Sequence, residues 1–512
     1  MSILRRPKSF SEVKLGLVAN FAGTGWSAVV QVASIPLYIK FIGIEAYGLI
    51  GFYLTLQAVL QVLDLGLSPT ISREMARYSV QPEKAAEARD MVRSLEVGYW
   101  VIGMVIGVTI VLAAQSIATH WIKAGNFPIR AVRQTVMVMG ILAFFQWPIS
   151  FYQGGLMGLG RQVLYNTLKI SVVTLTHGGA VLILWLVSPT IQAFFLWLAT
   201  VSAVQVICLA VFLWKSLPPA QRTPRLDLKL VRGIGSFAAG MSGITAFSLI
   251  LGQADKVILS KLFSLKTFGY YTLAGVFGTG LSMIVGSVFN TIYPRFSALV
   301  AMRDEETLKN LYHRCTQLMS VLVLPLAAVL ALFSADILQL WTRNSEVARN
   351  AGPIAALLVI GAAVNGIMNL PYALQLAYGW TNIGLYTTIF LTIVVVPAIW
   401  FMAVRYGPVG AAFVWVGLQA VNMLVGVPLT HRRLLRREMG HWFLQDVGPS
   451  LVAVLLLAGL ARSIISSPMR QPAALLILSI VFLAALLGGA FAARQVRLYL
   501  LEKFSRLWFG FT

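Results

Sequence analysis

Charge is the scarcest property of this 512-residue chain. Only 11% of its residues are Asp, Glu, Lys or Arg, against about a quarter in soluble domains. Too few polar side chains remain to cover a water-soluble fold of this length. Acidic groups are the rarer sign, 18 against 40 Lys and Arg, which leaves a formal charge of +22. Cysteine is nearly absent. Cys208 and Cys315 lie in or beside apolar segments, far apart in sequence, so neither a disulfide framework nor a cysteine metal site is expected. There is no GxxxxGK[ST] phosphate loop, no HExxH and no clustered CxxC. No catalytic constellation or local metal-ligand spacing is visible, so neither an enzyme nor a cofactor is expected. The opening, MSILRRPKSFSEVKLG, is basic but lacks a short apolar core followed by a small-residue cleavage site. It reads as a cytoplasmic leader into a first helix, not as a cleaved signal peptide.

What fills the chain instead is apolar: 58% of residues are hydrophobic and the mean hydropathy is +0.80. Apolar runs near 20 residues recur throughout, and each is long enough to cross a bilayer as a helix. One such run is readable as a buried core helix. The set is not, because so many core helices need a soluble shell. Fourteen spans are expected, at about 15–38, 46–68, 92–114, 133–155, 168–188, 191–213, 233–254, 268–292, 315–335, 351–376, 382–402, 408–429, 447–465 and 472–492. Placing the N-terminus inside and alternating sides puts 28 of the 40 Lys and Arg residues on the inner face and 12 outside. That is the positive-inside bias. It predicts a multi-pass protein of the cell inner (plasma) membrane with both termini cytoplasmic.

The chain also repeats itself. Residues 37–65, LYIKFIGIEAYGLIGFYLTLQAVLQVLDL, resemble residues 253–295, which begin QADKVILSKLFSLKTFGYY and end at Pro294-Arg295. Lys40 matches Lys261, Gly48 matches Gly269, and Arg73 matches Arg295. Helices 1–6 therefore pair with helices 7–12 as a parallel repeat, and two helices stand outside it. The expected domains are an N-terminal lobe, 1–213; a Pro-containing cytoplasmic linker, 214–232; a C-terminal lobe, 233–430; and a final section, 431–512. That last section starts with the basic amphipathic stretch HRRLLRREMGHWFLQD and carries helices 13 and 14 and a cytoplasmic tail.

Polar groups inside the spans are the functional candidates, because a charge at bilayer depth normally faces a cavity or a partner. Arg73 and Arg295, one per half, lie near the inner ends of their helices. They suit bidentate recognition of a diphosphate, or ordinary inner-face anchoring. Lys256 is a candidate to project between the halves, with its neighbour Asp255 holding an adjacent helix. Lys169 opens helix 5 and either snorkels or lines a cavity. Asp64 is read as a pairing or capping residue, or as part of an ion-coupling site. His177, in LTHGGAV, is read as a packing or hydrogen-bonding residue, or as a proton carrier or substrate ligand. The other four histidines sit near membrane edges and carry little signal.

Four stretches give the chain a family resemblance: YIKFIGIEAYGLIGFY, DLGLSPTISREMAR, YQGGLMGLGRQVLYNTLKI and QADKVILSKLFSLKTFGYYTLAGVF, followed by PRFSAL. In order and spacing they resemble the polysaccharide (O-antigen and exopolysaccharide) flippases of the multidrug/oligosaccharidyl-lipid/polysaccharide exporter superfamily. The resemblance implies an all-α polytopic membrane protein with two six-helix lobes around a central cavity plus two C-terminal helices. It implies alternating-access translocation of a polyprenyl-diphosphate-linked oligosaccharide for cell-surface polysaccharide biosynthesis. Arg73, Lys169, Lys256 and Arg295 are then the substrate-binding candidates, and Asp64, Asp255 and His177 the ion-coupling or structural ones. Coupling to H+, Na+ or the membrane potential stays open. A polysaccharide polymerase and a chain-length regulator are the implied protein partners, and no nucleic acid is expected. A lipid II flippase, a drug/cation antiporter and a non-transporting scaffold of a polysaccharide assembly complex remain as alternatives.

Overall fold

The computed structural model describes residues 10–64, 67–125, 127–220, 222–227, 249–465 and 473–509. Among them every regular element is helical, apart from one isolated bridge between Lys123 and Ser264. Helices are what an apolar chain must form in lipid, since they satisfy each backbone N–H and C=O within the segment. In order they are α1 (Phe10–Gln61), α2 (Leu67–Tyr78), α3 (Ala85–Ser116), α4 (Ile129–Gly158), α5 (Gln162–Leu186), α6 (Ile191–Ser216), α7 (described over 249–262) and α8 (Leu265–Met302). They continue as α9 (Glu305–Leu332), α10 (Ser334–Thr342), α11 (Ser345–Ala377), α12 (Thr381–Arg433), α13 (Met439–His441), α14 (Gly448–Ile464), α15 (Ala473–Ala492) and α16 (Arg494–Phe509). Eleven of the described helices are long and apolar enough to cross a membrane.

Two of those eleven are too long to be single crossings. The 52 residues of α1 extend about 78 Å at 1.5 Å per residue, against a hydrocarbon core of about 30 Å. The run is broken at Gly43, where φ is 79° and ψ is 166°, a conformation that a side chain would clash with. The 53-residue α12 breaks in the same way at Gly407. Both glycines fall in the gaps between apolar runs in the sequence, at 39–45 and 403–407. The expected span at 233–254 lies mostly outside the described residues, as do Lys229 and Arg232.

The chain divides into two compact units, 1–269 and 270–512, with the division inside α8. In the first unit α3 packs on α4, α4 on α6 and α1 on α5. The start of α8 belongs here for a reason visible in the repeat. A Cβ added to Gly48 would sit 2.2 Å from the Leu265 carbonyl oxygen, and one added to Gly269 would sit 2.4 Å from that of Ile44. The offsets 265 − 44 and 269 − 48 are both 221, so the repeat-related glycines make reciprocal contacts. Only residues without a side chain allow the backbones this close.

In the second unit α11 packs on α12 and α9, while α14 and α15 pack on α9. Val329, Phe333 and Val481 form one buried patch of that packing, and Val321, Ala490 and Ala493 another. Helix α9 begins at Glu305, ten residues before its apolar run. Asp304 caps it, with Oδ1 accepting from the Thr307 backbone N–H at 3.0 Å.

Candidate functional site

The seam between α1 and α5 is polar along much of its length. Asn166 donates from Nδ2 to Asn20 Oδ1, and also to the Gln162 carbonyl at 2.8 Å. Trp26 Nε1 donates to Thr174 Oγ1 at 2.8 Å, and the Tyr38 hydroxyl meets His177 Nδ1 at 2.9 Å with the two rings stacked. Both helices run in the same direction, since 20 pairs with 166, 26 with 174 and 38 with 177. Gly23 makes the approach feasible, because a Cβ there would fall 2.8 Å from Asn166 Oδ1.

Lys169 sits within this seam, about 10 Å along α5 from its first turn. Its Nζ reaches Thr24 Oγ1 at 3.4 Å. Among the described residues no carboxylate pairs with it. A half-buried ammonium that has only a hydroxyl for company keeps its charge available to an incoming anion. His177 lies further along the same helix and is spent on Tyr38.

Lys256, on α7, donates to Gln253 Oε1 at 3.1 Å, one turn back on its own helix. The C-terminal end of α7 is tied down by Trp121 Nε1 donating to Ser260 Oγ at 3.1 Å and Lys123 Nζ donating to the Leu262 carbonyl at 2.7 Å. Asp255 is engaged beside Lys256. Asp64 caps α2: its carboxylate accepts from the Ser68 N–H at 3.2 Å, the Ser68 hydroxyl at 2.9 Å and the Tyr99 hydroxyl at 2.7 Å. Arg73 is exposed on α2 and paired with Glu74 at 3.0 Å, while Arg77 holds the same carboxylate from the next turn. Arg295 is exposed on α8 and belongs to the second unit. Of the seven candidates, six lie in the first unit. There, side-chain contact gathers Lys169 and His177 onto the α1–α5 seam.

Three clusters escaped the sequence reading. The stretch after α6 is strapped to α3 by buried Asp90, which accepts from both terminal nitrogens of Arg222 and from the Arg225 backbone N–H at 2.7 Å. Glu96 is a second buried acceptor, taking Tyr152 at 2.7 Å, Trp214 at 3.0 Å and Arg93 at 3.0 Å. With Arg93 it lines a largely apolar cleft of about 470 Å³ between α3, α4 and α6. Its charge is already compensated, so the cleft suits hydrocarbon better than phosphate.

The third cluster is in the second unit, where α9 meets the connection between α12 and α14. His313 is 3% exposed and Asp446 wholly buried, although His313 reads in sequence as a membrane-edge residue. His313 Nδ1 bonds the Asp446 carboxylate, whose other oxygen accepts from Gln317 Nε2 at 2.9 Å. Glu438 binds Lys309 through one oxygen, and its other oxygen lies 3.2 Å from His313 Nε2. Burial alone raises the Glu438 carboxyl, but Lys309 and the two imidazoles outweigh it and hold it below the ordinary range. The His441 ring lies against that of His313, tilted by 31° with ring centres 4.2 Å apart.

Residues 16–300, more than half of the chain, match the family described as polysaccharide biosynthesis protein. The chain belongs to that family. Among curated proteins it is similar to one from Shigella flexneri named "Putative O-antigen transporter", at 19% identity over 399 residues, covering 78% of this chain and 93% of that one. Among solved structures it is similar to the lipid II flippase MurJ in an inward closed conformation, with a TM-score of 0.72, 13% identity and coverage of 94% and 99%. It is also similar to an inward-facing MATE family multidrug resistance transporter of the MOP superfamily, with a TM-score of 0.65, 15% identity and coverage of 80% and 94%. The fold is therefore one that this chain shares with these two proteins. Eleven described helices long and apolar enough to cross a membrane make this member of the polysaccharide biosynthesis family a multi-pass membrane protein.

Proposed function

We propose that this protein flips a polyprenyl-diphosphate-linked oligosaccharide across the cell inner membrane by alternating access, for cell-surface polysaccharide biosynthesis. The observation that carries this reading is Lys169: a cation inside a membrane-spanning helix, hydrogen-bonded to Thr24 with no carboxylate beside it among the described residues. A drug cation would be repelled by such a group, whereas a diphosphate gains from it. Asn20, Asn166 and Thr174 on the same seam offer amide and hydroxyl groups of the kind that bind sugars. The headgroup enters between two six-helix lobes while the polyprenyl tail stays in lipid. Basic side chains offset the cost of drying the diphosphate.

In this scheme the membrane holds fourteen spans, α1 and α12 each supplying two, with α14 and α15 outside the lobes. Both termini lie on the cytoplasmic face, where Arg73 and Arg295 meet arriving substrate and Lys256 lines its path. No covalent step is needed. Net direction comes from an ion gradient, the membrane potential, or removal of product by a polymerase acting with a chain-length regulator.

The test is proteoliposomes carrying a fluorescent lipid-linked oligosaccharide, with its accessibility to an external reagent followed in time. Faster exposure than in empty liposomes supports the reading. The absence of acceleration with every headgroup offered would remove it. The likeness to the lipid II flippase fold over 94% of the chain favours a second reading, lipid II itself as substrate. Faster flipping of lipid II than of lipid-linked oligosaccharide would establish that one.

A further inference from the structure

We propose that His313, Glu438 and His441 form a binding site for a divalent transition metal of the zinc class, which clamps the connection between α12 and α14 onto α9. The site does not depend on what the protein transports. One donor atom from each of the three residues lies within 4.8 Å of the other two. His313 Nε2 is buried and makes no hydrogen bond, although Glu438 Oε2 is only 3.2 Å away. Two groups this close with no hydrogen bond between them are near enough for one ion to bridge. Bonds of about 2.0–2.1 Å to a tetrahedral ion set neighbouring donors about 3.3 Å apart, close to the separation found. His441 Nδ1 lies 3.7 Å from the same Glu438 oxygen. His441 is 35% exposed in its side chain, so a small ring movement closes that distance. The open side leaves a fourth position for water.

The surrounding groups strengthen the assignment. His313 Nδ1 hydrogen-bonds Asp446, which leaves Nε2, on the side of Glu438, as the ring nitrogen open to an ion. A carboxylate behind a histidine in this way is the usual support of a metal-bound imidazole. Asp446 is steadied by Gln317, and Gln317 by the Gln495 backbone N–H at 2.8 Å. Asp446 lies within the π-helical turn Trp442–Val447, and such turns gather at functional sites. Lys309 occupies the other oxygen of Glu438, leaving one carboxylate oxygen for the ion. Two imidazoles and one carboxylate select zinc-class ions over Ca2+ and Mg2+, which prefer all-oxygen sites. Local sequence spacing hides the site, because His313 is more than 120 residues from its partners.

The experiment uses the full chain, tag removed, purified in detergent, stripped with a chelator and re-equilibrated with Zn2+. Bound metal is measured by mass spectrometry and affinity by competition with a chromophoric chelator. About one equivalent per chain is expected, displaced by neither Ca2+ nor Mg2+. H441A, at the exposed edge, and E438Q are each expected to lower affinity by more than about 100-fold. D446N is expected to lower it about 10- to 100-fold through the supporting hydrogen bond. H120A, in the other unit, is the control and stays at the wild-type value. Less than about 0.2 equivalent bound to the wild type, or wild-type affinity in both H441A and E438Q, overturns the site. The cluster is then a proton-sharing ion pair only. A melting temperature that rises with Zn2+ in wild type but not in H441A supports the clamp. Equal shifts in both overturn it.

Discussion

The α1–α5 seam and the His313–Asp446 knot are both polar clusters in an apolar protein, and they solve the cost of burial in opposite ways. The knot balances its carboxylates locally with Lys309 and two imidazoles. The seam leaves Lys169 with a neutral hydroxyl. A compensated cluster holds structure together, while an uncompensated charge is stable only if something else arrives to meet it. The comparison therefore predicts that substitutions in the knot change stability and substitutions in the seam change transport.

The largest effect is expected at Asp446. Replacing it with Ala strips buried His313 and Gln317 of their acceptor, and breaking such a pair costs about 3–5 kcal/mol. Thermal melts of the detergent-solubilised protein measure this, and a loss below about 1 kcal/mol would merge the knot with the seam. Next comes Lys169→Met, expected to slow flipping by about tenfold or more while the melt stays within about 1 kcal/mol, because one charge-assisted contact to a phosphate is worth about 1.5–3 kcal/mol. Lys169→Arg should keep most of the rate. Equal rates for wild type and Lys169→Met would sink the substrate role of the seam.

A third variant separates packing from charge. Gly48→Ala places a methyl 2.2 Å from the Leu265 carbonyl oxygen, and overpacking of this kind costs about 1–3 kcal/mol. Gly269→Ala should match it, since its contact with Ile44 is the repeat-related copy. A melt change in one variant alone would break the reciprocity.

Much of this arrangement is legible in the sequence, and the rest is missing for identifiable reasons. The apolar runs coincide with the eleven described helices able to cross a membrane, and the gaps between runs locate the breaks at Gly43 and Gly407. Hydropathy reads only the part of a helix inside lipid, so it places the start of α9 at 315 although the helix runs from Glu305. It also passes over the nine-residue α10. Lys169 stands out because a lysine in an apolar run is conspicuous. Its partner Thr24 does not, because a threonine there is unremarkable. The knot is invisible because its parts come from two distant stretches, each of which reads as a membrane edge. The Asp90–Arg222 strap is hidden in the same way.

The smallest predicted effect concerns acid. Asp304 caps the helix that carries His313 and Gln317. Its carboxyl is held below the ordinary Asp value by hydrogen bonds from Thr307. A carboxyl whose folded pKa is depressed adds stability that is present above its unfolded pKa, about 3.9. That stability is lost as pH falls through the folded value. The Asp304 contribution should therefore be constant from pH 7 to 5 and be lost as a small increment below about pH 4. Asp304→Asn keeps a capping oxygen but cannot titrate, so it should lack that increment while melting close to wild type at pH 7. Lys169→Met, in the other unit, should retain it. An acid increment of unchanged size in Asp304→Asn would assign it elsewhere in the chain, and its disappearance in Lys169→Met would tie the seam to the stability of α9, against the division of labour argued for the two clusters.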